Sequence, residues 1–315
     1  MSTNSNDQGR AYEYAWLNTL ASELGKRKAV HIVENSSLQA NQKAWNCMSD
    51  DFKQTLICSS SAAVYAFVSL EPTLCSDVND EVYLRFQSDE AGVNGDVRDI
   101  VISTSDDSNW EAGLSIKHNH EAVKHSRLSH RLDFGQEWFG IPCSENYWSA
   151  VKPIFDRLKA EKTRGAKWSD LPDKEANVYI PLLQAFMNEV KKSAKQDPEI
   201  PKRMVEYLIG RCDYYKAVSH DRKRKTTLTT FNTHGTLGKE KDGTSQAVIT
   251  KLPTKILNLC FKTNSTNTVI MTFDNNWSLS FRIHNASTKV EPSLKFDVQF
   301  TSTPSSIKTI DCPWK

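Results

Sequence analysis

The sequence has no run of apolar residues long enough to cross a bilayer, which takes about 20 consecutive apolar residues in a helix. It also lacks an N-terminal basic segment followed by an apolar one, the pattern of a secretory signal. We therefore expect neither a membrane protein nor a secreted one. An excess of charge is missing as well, because 40 Lys and Arg residues oppose 38 Asp and Glu residues, for a formal net charge of +2. Binding of any polyanion must then depend on local clusters of charge.

Paired cysteines and nucleotide-binding motifs are absent too. The seven cysteines are scattered and none forms a Cys-x-x-Cys pair, so neither a zinc ribbon nor a disulfide scaffold is indicated. Reduced thiols in a cytoplasmic protein are the simplest interpretation. The glycine and lysine spacing of a P-loop is missing, as is the Gly-x-Ser-x-Gly motif of serine hydrolases. The sequence therefore implies no dependence on ATP and no serine nucleophile of that kind.

Hydrophobic periodicity predicts a mixed α/β fold. The chain of 315 residues, with 38% hydrophobic residues, is long enough for one large domain or two modest ones. Apolar spacing predicts helices and alternation predicts strands. The predicted helices cover 9–27, 41–72 (one or two helices), 147–161, 177–195 and 201–210, and the predicted strands cover 81–87, 97–104, 110–119, 246–252, 268–273, 277–283 and 294–300, with Asn275-Asn276 as a hairpin turn.

Composition changes predict three consecutive segments. Residues 1–140 hold the first helices and the first strands, and 141–220 form a helical region. The stretch that begins near 221 is rich in Thr, basic residues and Gly, which predicts a basic loop leading into a β-rich region over 221–315.

Asp99 and Lys117 are the strongest candidates for chemistry. Asp99 begins one apolar strand and Lys117 ends another, so the two side chains meet at the same end of the sheet if the strands are neighbours. A carboxylate beside a lysine suits metal-assisted phosphodiester hydrolysis: the carboxylate binds Mg²⁺, which lowers the pKa of a bound water, and the lysine positions that water and offsets developing charge. A salt bridge between neighbouring strands is the simpler alternative.

The same residues carry a resemblance to a known family. Asp99-Ile-Val-Ile102 followed by Ser115-Ile-Lys117 resembles the PD-(D/E)xK nuclease motif. The segments GRAYEYAW (9–16) and EAGLSIKHNHEAVKHSRLS (111–129) are similar to the HaeIII family of type II restriction endonucleases. The resemblance implies a PD-(D/E)xK restriction-endonuclease-like core with a helical insertion and a β-rich C-terminal part, which carries the DNA-recognition role.

The resemblance also implies an activity and its setting. It implies double-strand cleavage of DNA at a short palindrome, GGCC for the namesake, with Mg²⁺ as the cofactor and Mn²⁺ as a substitute. Asp99 is then the metal carboxylate and Lys117 the catalytic lysine. It further implies that the enzyme is bacterial and cytoplasmic and that a cognate methyltransferase accompanies it in the cell. The enzyme itself is then either a homodimer or a monomer. Two alternatives stay open: a structure-directed or repair nuclease with the same core, and a DNA-binding protein whose nuclease site has decayed.

One departure from the motif concerns the second carboxylate, because Ser115 stands where the motif carries an acid. Glu13 on the first helix is the preferred replacement, since related nucleases often carry a glutamate there. Glu111 shares the strand face but lies about 13 Å from Ser115 at the rise of a strand. Glu121 is a third option, and Asp96 competes with Asp99 as the first ligand. The predicted catalytic set is Asp99, Lys117, Glu13, Glu111, Ser115 and Asn119, with Asn119 orienting substrate or water and with Asp99 and Glu13 (or Glu111) as metal ligands.

Two basic segments are candidates for DNA contact. His118, His120, His125 and His130 lie close together, so a zinc site or a histidine base of the HNH type is conceivable, but no cysteine accompanies them. We expect 124–131 to be a helix whose basic side chains contact phosphates. The run 222–225 predicts a loop that enters a DNA groove, where Arg or Lys pairs with guanine, although a solvated linker is the alternative. The predicted DNA-binding residues are Lys124, His125, Arg127, Arg131, Arg222, Lys223, Arg224, Lys225, Asn232 and His234.

Overall fold

A computed structural model describes residues 5–76, 81–88, 95–104, 110–120, 123–239 and 247–315 of the chain. These residues form a mixed α/β fold, which confirms the predicted class. The helices are α1 (Ser5–Leu24), α2 (Ser36–Asn46), α3 (Asp50–Ser69), α4 (Pro72–Cys75), α5 (Phe134–Phe139), α6 (Glu145–Thr163), α7 (Ile180–Gln196) and α8 (Ile200–Ile209). The strands are β1 (Ala29–Ile32), β2 (Glu81–Phe86), β3 (Ile100–Thr104), β4 (Glu111–His118), β5 (Lys124–Ser129), β6 (Tyr214–His220), β7 (Lys225–Phe231), β8 (Ile256–Phe261), β9 (Thr268–Phe273), β10 (Ser278–His284), β11 (Ser293–Ser302) and β12 (Thr309–Pro313).

The chain divides into two compact units that are interleaved in sequence. The first unit takes its residues from 1–121, 210–250 and 305–315, and the second takes its residues from 122–209 and 251–304. The three predicted segments, 1–140, 141–220 and 221–315, are consecutive in sequence, and this division of the chain stays a prediction. No helix of the described residues is long and apolar enough to span a bilayer.

The first unit is built on a seven-stranded mixed sheet with the strand order β1-β2-β3-β4-β6-β7-β12. Helix α1 packs against this sheet because Tyr12, Trp16 and Leu20 recur every four residues and all are buried. Strand β4 alternates in the same way, with Leu114 and Ile116 in the core. The intervening residues of β4 therefore lie on the opposite face of the sheet, which is the face that carries the candidate site.

The second unit combines helices α5 to α8 with a five-stranded antiparallel sheet of order β5-β11-β10-β9-β8. Its core is aromatic, with Phe134, Trp138 and Phe186 buried among rings from the sheet. Asn275 and Asn276 join β9 to β10 with φ angles of 55° and 64°, which is the left-handed geometry of a tight hairpin. The predicted turn is therefore confirmed.

Two secondary-structure predictions were wrong. Residues 124–129 form strand β5 and not a helix, because they pair with β11, and burial there has a period of two, with Ser126 and Leu128 buried and Arg127 exposed. The predicted strand over 246–252 is also wrong for its described residues, 247–252, which form no strand. The strand nearest to it in the chain is β8.

The prediction of a basic loop that begins near 221 was also wrong, because most of these residues form a 3₁₀ turn and a β-strand. Strand β7 occupies 225–231 and pairs with β6, which the sequence had left without an assignment. The run 222–225 therefore sits at the turn of a β-hairpin, with a short 3₁₀ turn over Asp221–Lys223. This hairpin is joined to β4, because β4 and β6 are parallel neighbours.

Candidate active site

Asp99 and Lys117 are in direct contact in the first unit. Antiparallel pairing of β3 with β4 places Asp99 beside the end of β4, where the Asp99 amide donates to the carbonyl of Leu114 at 2.7 Å. The Lys117 Nζ atom donates to Asp99 Oδ2 at 2.9 Å. The amide of Ile116 donates to the same oxygen. The side chains of Asp99 and Lys117 are 20% and 38% exposed, so the pair lies where solvent or a substrate can reach it.

Glu13 of α1 shares the electrostatic surroundings of this pair. Its Oε2 atom accepts a hydrogen bond of 2.8 Å from the Nδ2 atom of Asn41. Burial, followed by the negative charge of Asp99, raises the pKa of Glu13 to about 8, while Lys117 acts in the opposite direction. The two carboxyl groups therefore repel each other when both are ionised.

The ammonium group of Lys117 is stabilised by the negative charges of these two carboxyl groups. Burial alone would lower the pKa of Lys117, but the charges of Asp99 and Glu13 outweigh it, and the net shift is upward. Lys117 thus stays charged at neutral pH. In that form it donates hydrogen bonds and supplies positive charge, but it does not accept a proton.

The donors at this position fit a hard divalent cation. Mg²⁺ is usually held by one or two carboxylates and completes its shell with water and substrate phosphates. Asp99 and Glu13 offer two carboxylates of this kind, and their mutual repulsion is what a cation would relieve. Over the described ranges, no group of three or more His, Cys, Asp or Glu side chains is placed to hold a metal ion. A two-carboxylate site completed by phosphate and water is the arrangement that these residues allow.

Asp96 and Glu111 are held elsewhere by one buried arginine. Arg98 donates to Asp96 through Nη2 at 2.7 Å and to Glu111 through Nη1 at 2.6 Å. Burial would raise the pKa of Asp96, but its hydrogen bonds and ion pair with Arg98 lower it overall. Both carboxylates thus form ion pairs with Arg98. The structure does not bring them together with Asp99 and Lys117. Ser115 is buried on the face that carries Lys117.

Asn119 and His118 fasten the end of β4 to the β6–β7 hairpin. Asn119 has a φ of 53° and donates to Asp221 Oδ2 at 2.9 Å, while the Asp221 amide donates to Asn119 Oδ1. The His118 Nε2 atom lies 2.9 Å from the same carboxylate oxygen, and its ring packs against Tyr12 and Phe52. A packing and anchoring role follows for His118, which differs from that of an HNH-type base. Asp221 was missed because it reads in sequence as the first residue of a basic run.

The basic run 222–225 lies at the tip of the β6–β7 hairpin, whose strand β6 is the neighbour of β4 in the sheet. Arg222, Lys223 and Arg224 are exposed. The Arg224 guanidinium lies 5.9 Å from the ring of Trp314, and Lys225 Nζ lies 2.7 Å from Asp311 Oδ2. The structure therefore presents three adjacent positive charges in the same unit as the candidate site.

A second candidate segment, 232–238, is organised by a residue that sequence reasoning missed. The buried carboxylate of Asp213 accepts hydrogen bonds from the amides of Thr233, His234 and Thr236 at 2.6, 2.9 and 2.9 Å. His234 is exposed on this loop, whereas Asn232 is only 1% exposed and accepts from the amide of Leu237. Asp213 thus fixes the loop, and His234 is the predicted residue that the loop exposes.

The remaining predicted DNA-binding residues lie on or next to β5 in the second unit. Lys124 Nζ donates to the carbonyl of Tyr207 at 2.9 Å and lies 3.5 Å from the centre of its ring. Arg127 is exposed. The amide of Arg131 donates to Ser129 Oγ. The side chain of His125 and the whole of Glu121 lie outside what the structure describes, so DNA contact by this group stays a prediction.

Comparisons with known proteins show which family the chain belongs to. The family model for the HaeIII restriction endonuclease matches residues 9–304. The type II restriction enzyme HaeIII of Haemophilus aegyptius is 44% identical over 319 residues, with all of both chains covered. No solved structure matches.

These similarities define the class of the protein, which is a type II restriction endonuclease, an enzyme that cleaves DNA at specific sites. The chain belongs to the HaeIII restriction endonuclease family. This finding confirms the leading interpretation of the sequence over the repair-nuclease and decayed-site alternatives.

Proposed function

We propose that this enzyme makes Mg²⁺-dependent double-strand breaks at GGCC, with Asp99, Lys117 and Glu13 as the residues that carry the reaction. The observation that supports the site is the 2.9 Å contact between Lys117 Nζ and Asp99 Oδ2, with Glu13 within electrostatic reach of both. The target sequence follows from the resemblance to the HaeIII family and from the full-length similarity to its namesake.

Each of the three side chains has a separate task. Asp99 and Glu13 would hold the cation, and Lys117 and the amide of Ile116 both donate to the Oδ2 atom of Asp99, which holds this carboxylate in place. When bound, Mg²⁺ polarises the phosphate and lowers the pKa of a water molecule, and Mn²⁺ substitutes for it. Lys117 donates to the attacking water or to the phosphate and offsets the charge that develops there.

The reaction is a direct hydrolysis. The water oxygen forms a bond to phosphorus in line with the bond to the 3′ oxygen, which breaks. The water gives up one proton to solvent and the leaving oxygen takes one up. The products carry a 5′-phosphate and a 3′-hydroxyl, and no covalent bond to the protein forms.

Target recognition is assigned to the basic hairpin tip and the loop 232–238. Arginine and lysine pair with the O6 and N7 atoms of guanine in the major groove, and each strand of GGCC carries two guanines. Arg222, Lys223 and Arg224 are the exposed cations of the tip, and Asp213 holds the loop that exposes His234. A rigid loop loses little conformational entropy on binding.

The cellular setting follows from the proposed target. An enzyme that cuts GGCC in the cytoplasm of a bacterium needs a cognate methyltransferase to protect the host DNA. A two-fold homodimer matches a palindrome, and a monomer that cuts the strands in turn is the alternative. Analytical ultracentrifugation with and without GGCC duplex distinguishes the two.

A digest of a sequenced plasmid tests the proposal. The parent protein with Mg²⁺ is expected to give bands that map to GGCC, and these bands are absent with EDTA and with Lys117→Ala. Lys162→Ala is the matched control, since Lys162 forms an exposed ion pair with Glu291 in the second unit. Cutting by Lys117→Ala at the parental rate contradicts the site, and bands at another sequence contradict the target.

A further inference from the structure

Three basic side chains lie in one row across the antiparallel sheet of the second unit. Lys295 on β11 is directly opposite Arg127 on β5 and also directly opposite His284 on β10. Residues that are opposite each other in neighbouring antiparallel strands point to the same face of the sheet, with Cβ atoms about 5 Å apart. We call this row of Arg127, Lys295 and His284 the basic sheet face. It holds two permanent positive charges and an imidazole side by side.

The basic sheet face is the side of the sheet that faces solvent. Phe296 follows Lys295 in β11 and is buried against Phe186 of helix α7. Because successive residues of a strand point to opposite faces, Lys295 points away from this aromatic core. Arg127 is exposed, and Lys295 and His284 are half-buried. The row is therefore within reach of a macromolecular partner.

The charges of this row are arranged unfavourably for the sheet itself. Like charges directly opposite each other destabilise a sheet, and here Lys295 is opposite Arg127. The Arg127 guanidinium donates to two neutral groups, the carbonyl and the hydroxyl of Ser293, at 3.3 and 3.5 Å. The next acid on the same face of β11, Asp297, forms an ion pair of 3.2 Å with Arg282. A polyanion bound to the row would relieve the repulsion between Arg127 and Lys295.

The titration of His284 reflects the positive potential of this face. Burial is the first cause that lowers the pKa of His284, and the charges of Arg282 and Lys295 lower it further. Asp297 acts in the opposite direction, with a smaller effect than either cation. The positive charges therefore prevail at the end of the row.

A second pair of like charges lies at the loop that joins β10 to β11. Lys289 in this loop forms an isolated bridge with Lys167. The amide of Trp168 donates to the carbonyl of Thr288 at 2.9 Å, and the amide of Val290 donates to the carbonyl of Ala166 at 3.0 Å. These bonds flank the two lysines, which makes them a non-hydrogen-bonded pair, the kind with the closest side chains. Both lysines are exposed, so positive charge continues beyond the row.

We propose that the basic sheet face binds the phosphate backbone of DNA through Arg127 and Lys295. Double-stranded DNA carries one negative charge for about every 1.7 Å of helix axis, and cations that neutralise phosphates release condensed counterions, which favours binding. Contacts of this kind fix the position of a protein on the duplex without reading the sequence. The inference deepens the proposed function and rests on DNA as the substrate. It adds a surface distinct from the residues that we assign to GGCC.

The salt dependence of DNA binding tests this inference. Binding of two duplexes of equal length, one with GGCC and one without, is measured in EDTA between about 50 and 200 mM salt. Arg127→Gln and Lys295→Gln each remove one charge. We expect each variant to bind both duplexes about eightfold more weakly at about 0.1 M salt, with the slope of log affinity against log salt reduced by about 0.9, as for one lost phosphate contact. Single-turnover cleavage at saturating enzyme is expected to stay at the parental rate.

Lys295→Glu separates a role in binding from a role in folding. It places a carboxylate opposite Arg127, so we expect its melting temperature to equal or exceed that of the parent. Its binding of both duplexes is nevertheless expected to be weaker than that of Lys295→Gln. Lys191→Gln and Lys191→Glu are the matched controls, because they change the net charge by the same amounts at an exposed position of α7.

The outcomes distinguish this inference from the proposed target. Arg127 and Lys295 variants that bind both duplexes within about twofold of the parent, with parental salt slopes, overturn it. Equal weakening by the Lys191 variants assigns the effect to net charge, and weakening confined to the GGCC duplex assigns it to sequence reading; both also overturn it. Lower melting temperatures in both Lys295 variants, together with lost binding, assign Lys295 to folding and overturn it as well. A parent that binds both duplexes but does not cut at GGCC removes the proposed target, while the salt slopes still decide the role of the basic sheet face.

Discussion

Glu71 is a fully buried carboxyl group whose ionisation we expect to destabilise the first unit. Its Oε1 atom accepts from the hydroxyl of Tyr215 at 2.6 Å and from the amide of Gly238 at 3.0 Å. Burial raises the pKa of Glu71 from an ordinary 4.5 to about 7, and the hydrogen bonds to Tyr215 and Gly238 only partly oppose the rise. The folded state therefore holds this proton more tightly than the unfolded state does.

The sign of the pH dependence follows from this difference. Because the pKa is higher in the folded state, the contribution of Glu71 to stability is fully present below about pH 4.5 and is lost as the pH rises through about 7. At 1.36 kcal/mol for each pH unit, the loss amounts to about 3 kcal/mol. Glu71→Gln keeps an acceptor for both donors and cannot ionise. We expect the free energy of unfolding of Glu71→Gln, relative to that of the parent, to increase by about 3 kcal/mol between pH 4.5 and pH 8.

Urea unfolding at a series of pH values measures this gain. The quantity of interest is the difference in the free energy of unfolding between Glu71→Gln and the parent, which cancels the pH dependence of all other groups. Glu291→Gln serves as the control, since Glu291 is paired with Lys162 near the surface. A difference for Glu71→Gln that stays constant from pH 4.5 to pH 8 would refute the argument.

Two further substitutions test the positioning of the site and of the loop. In Gly113→Ala, the new Cβ would lie 2.0 Å from Cδ of Arg98, so we expect a loss of about 1–3 kcal/mol in the free energy of unfolding, whereas Gly9→Ala, with no atom within 4 Å, is expected to cost nothing. Equal melting temperatures for the two variants would contradict the close approach of Arg98. Asp213→Ala removes the acceptor that holds the backbone around His234, and we expect weaker binding of GGCC duplex in EDTA together with faster amide exchange in that loop. Unchanged exchange there would show that Asp213 does not organise the loop.

Local patterns were sufficient to predict the contact at the centre of the site. Asp99 and Lys117 lie on strands with clear alternation that are close in sequence, so pairing them required only the assumption that the strands are neighbours. The apolar spacing also predicted the helix that carries Glu13. The choice of Glu13 as the partner of Asp99, however, came from the family resemblance. Sequence spacing cannot show how a helix is rotated against a sheet.

Residues that depend on distant pairing could not be predicted. Strand β5 reads as a polar basic segment, and its strand conformation is decided by β11, more than 160 residues further along the chain. Asp213 looks like an ordinary acidic residue in the sequence, because its role depends on the loop that folds around it. In each case tertiary pairing overrides the local signal.

We propose that the contact between Asp99 and Lys117 lies in the active site of this restriction endonuclease. Single-turnover cleavage of a GGCC duplex by Asp99→Asn with Mg²⁺, measured beside its binding of the same duplex in EDTA, tests it most directly. We expect a rate lower by about three orders of magnitude with binding retained, because a charge that we propose holds the cation is lost. Asp297→Asn, which removes a carboxylate paired with Arg282 in the second unit, is expected to cleave like the parent. Cleavage by Asp99→Asn at the parental rate would show that Asp99 takes no part in the reaction.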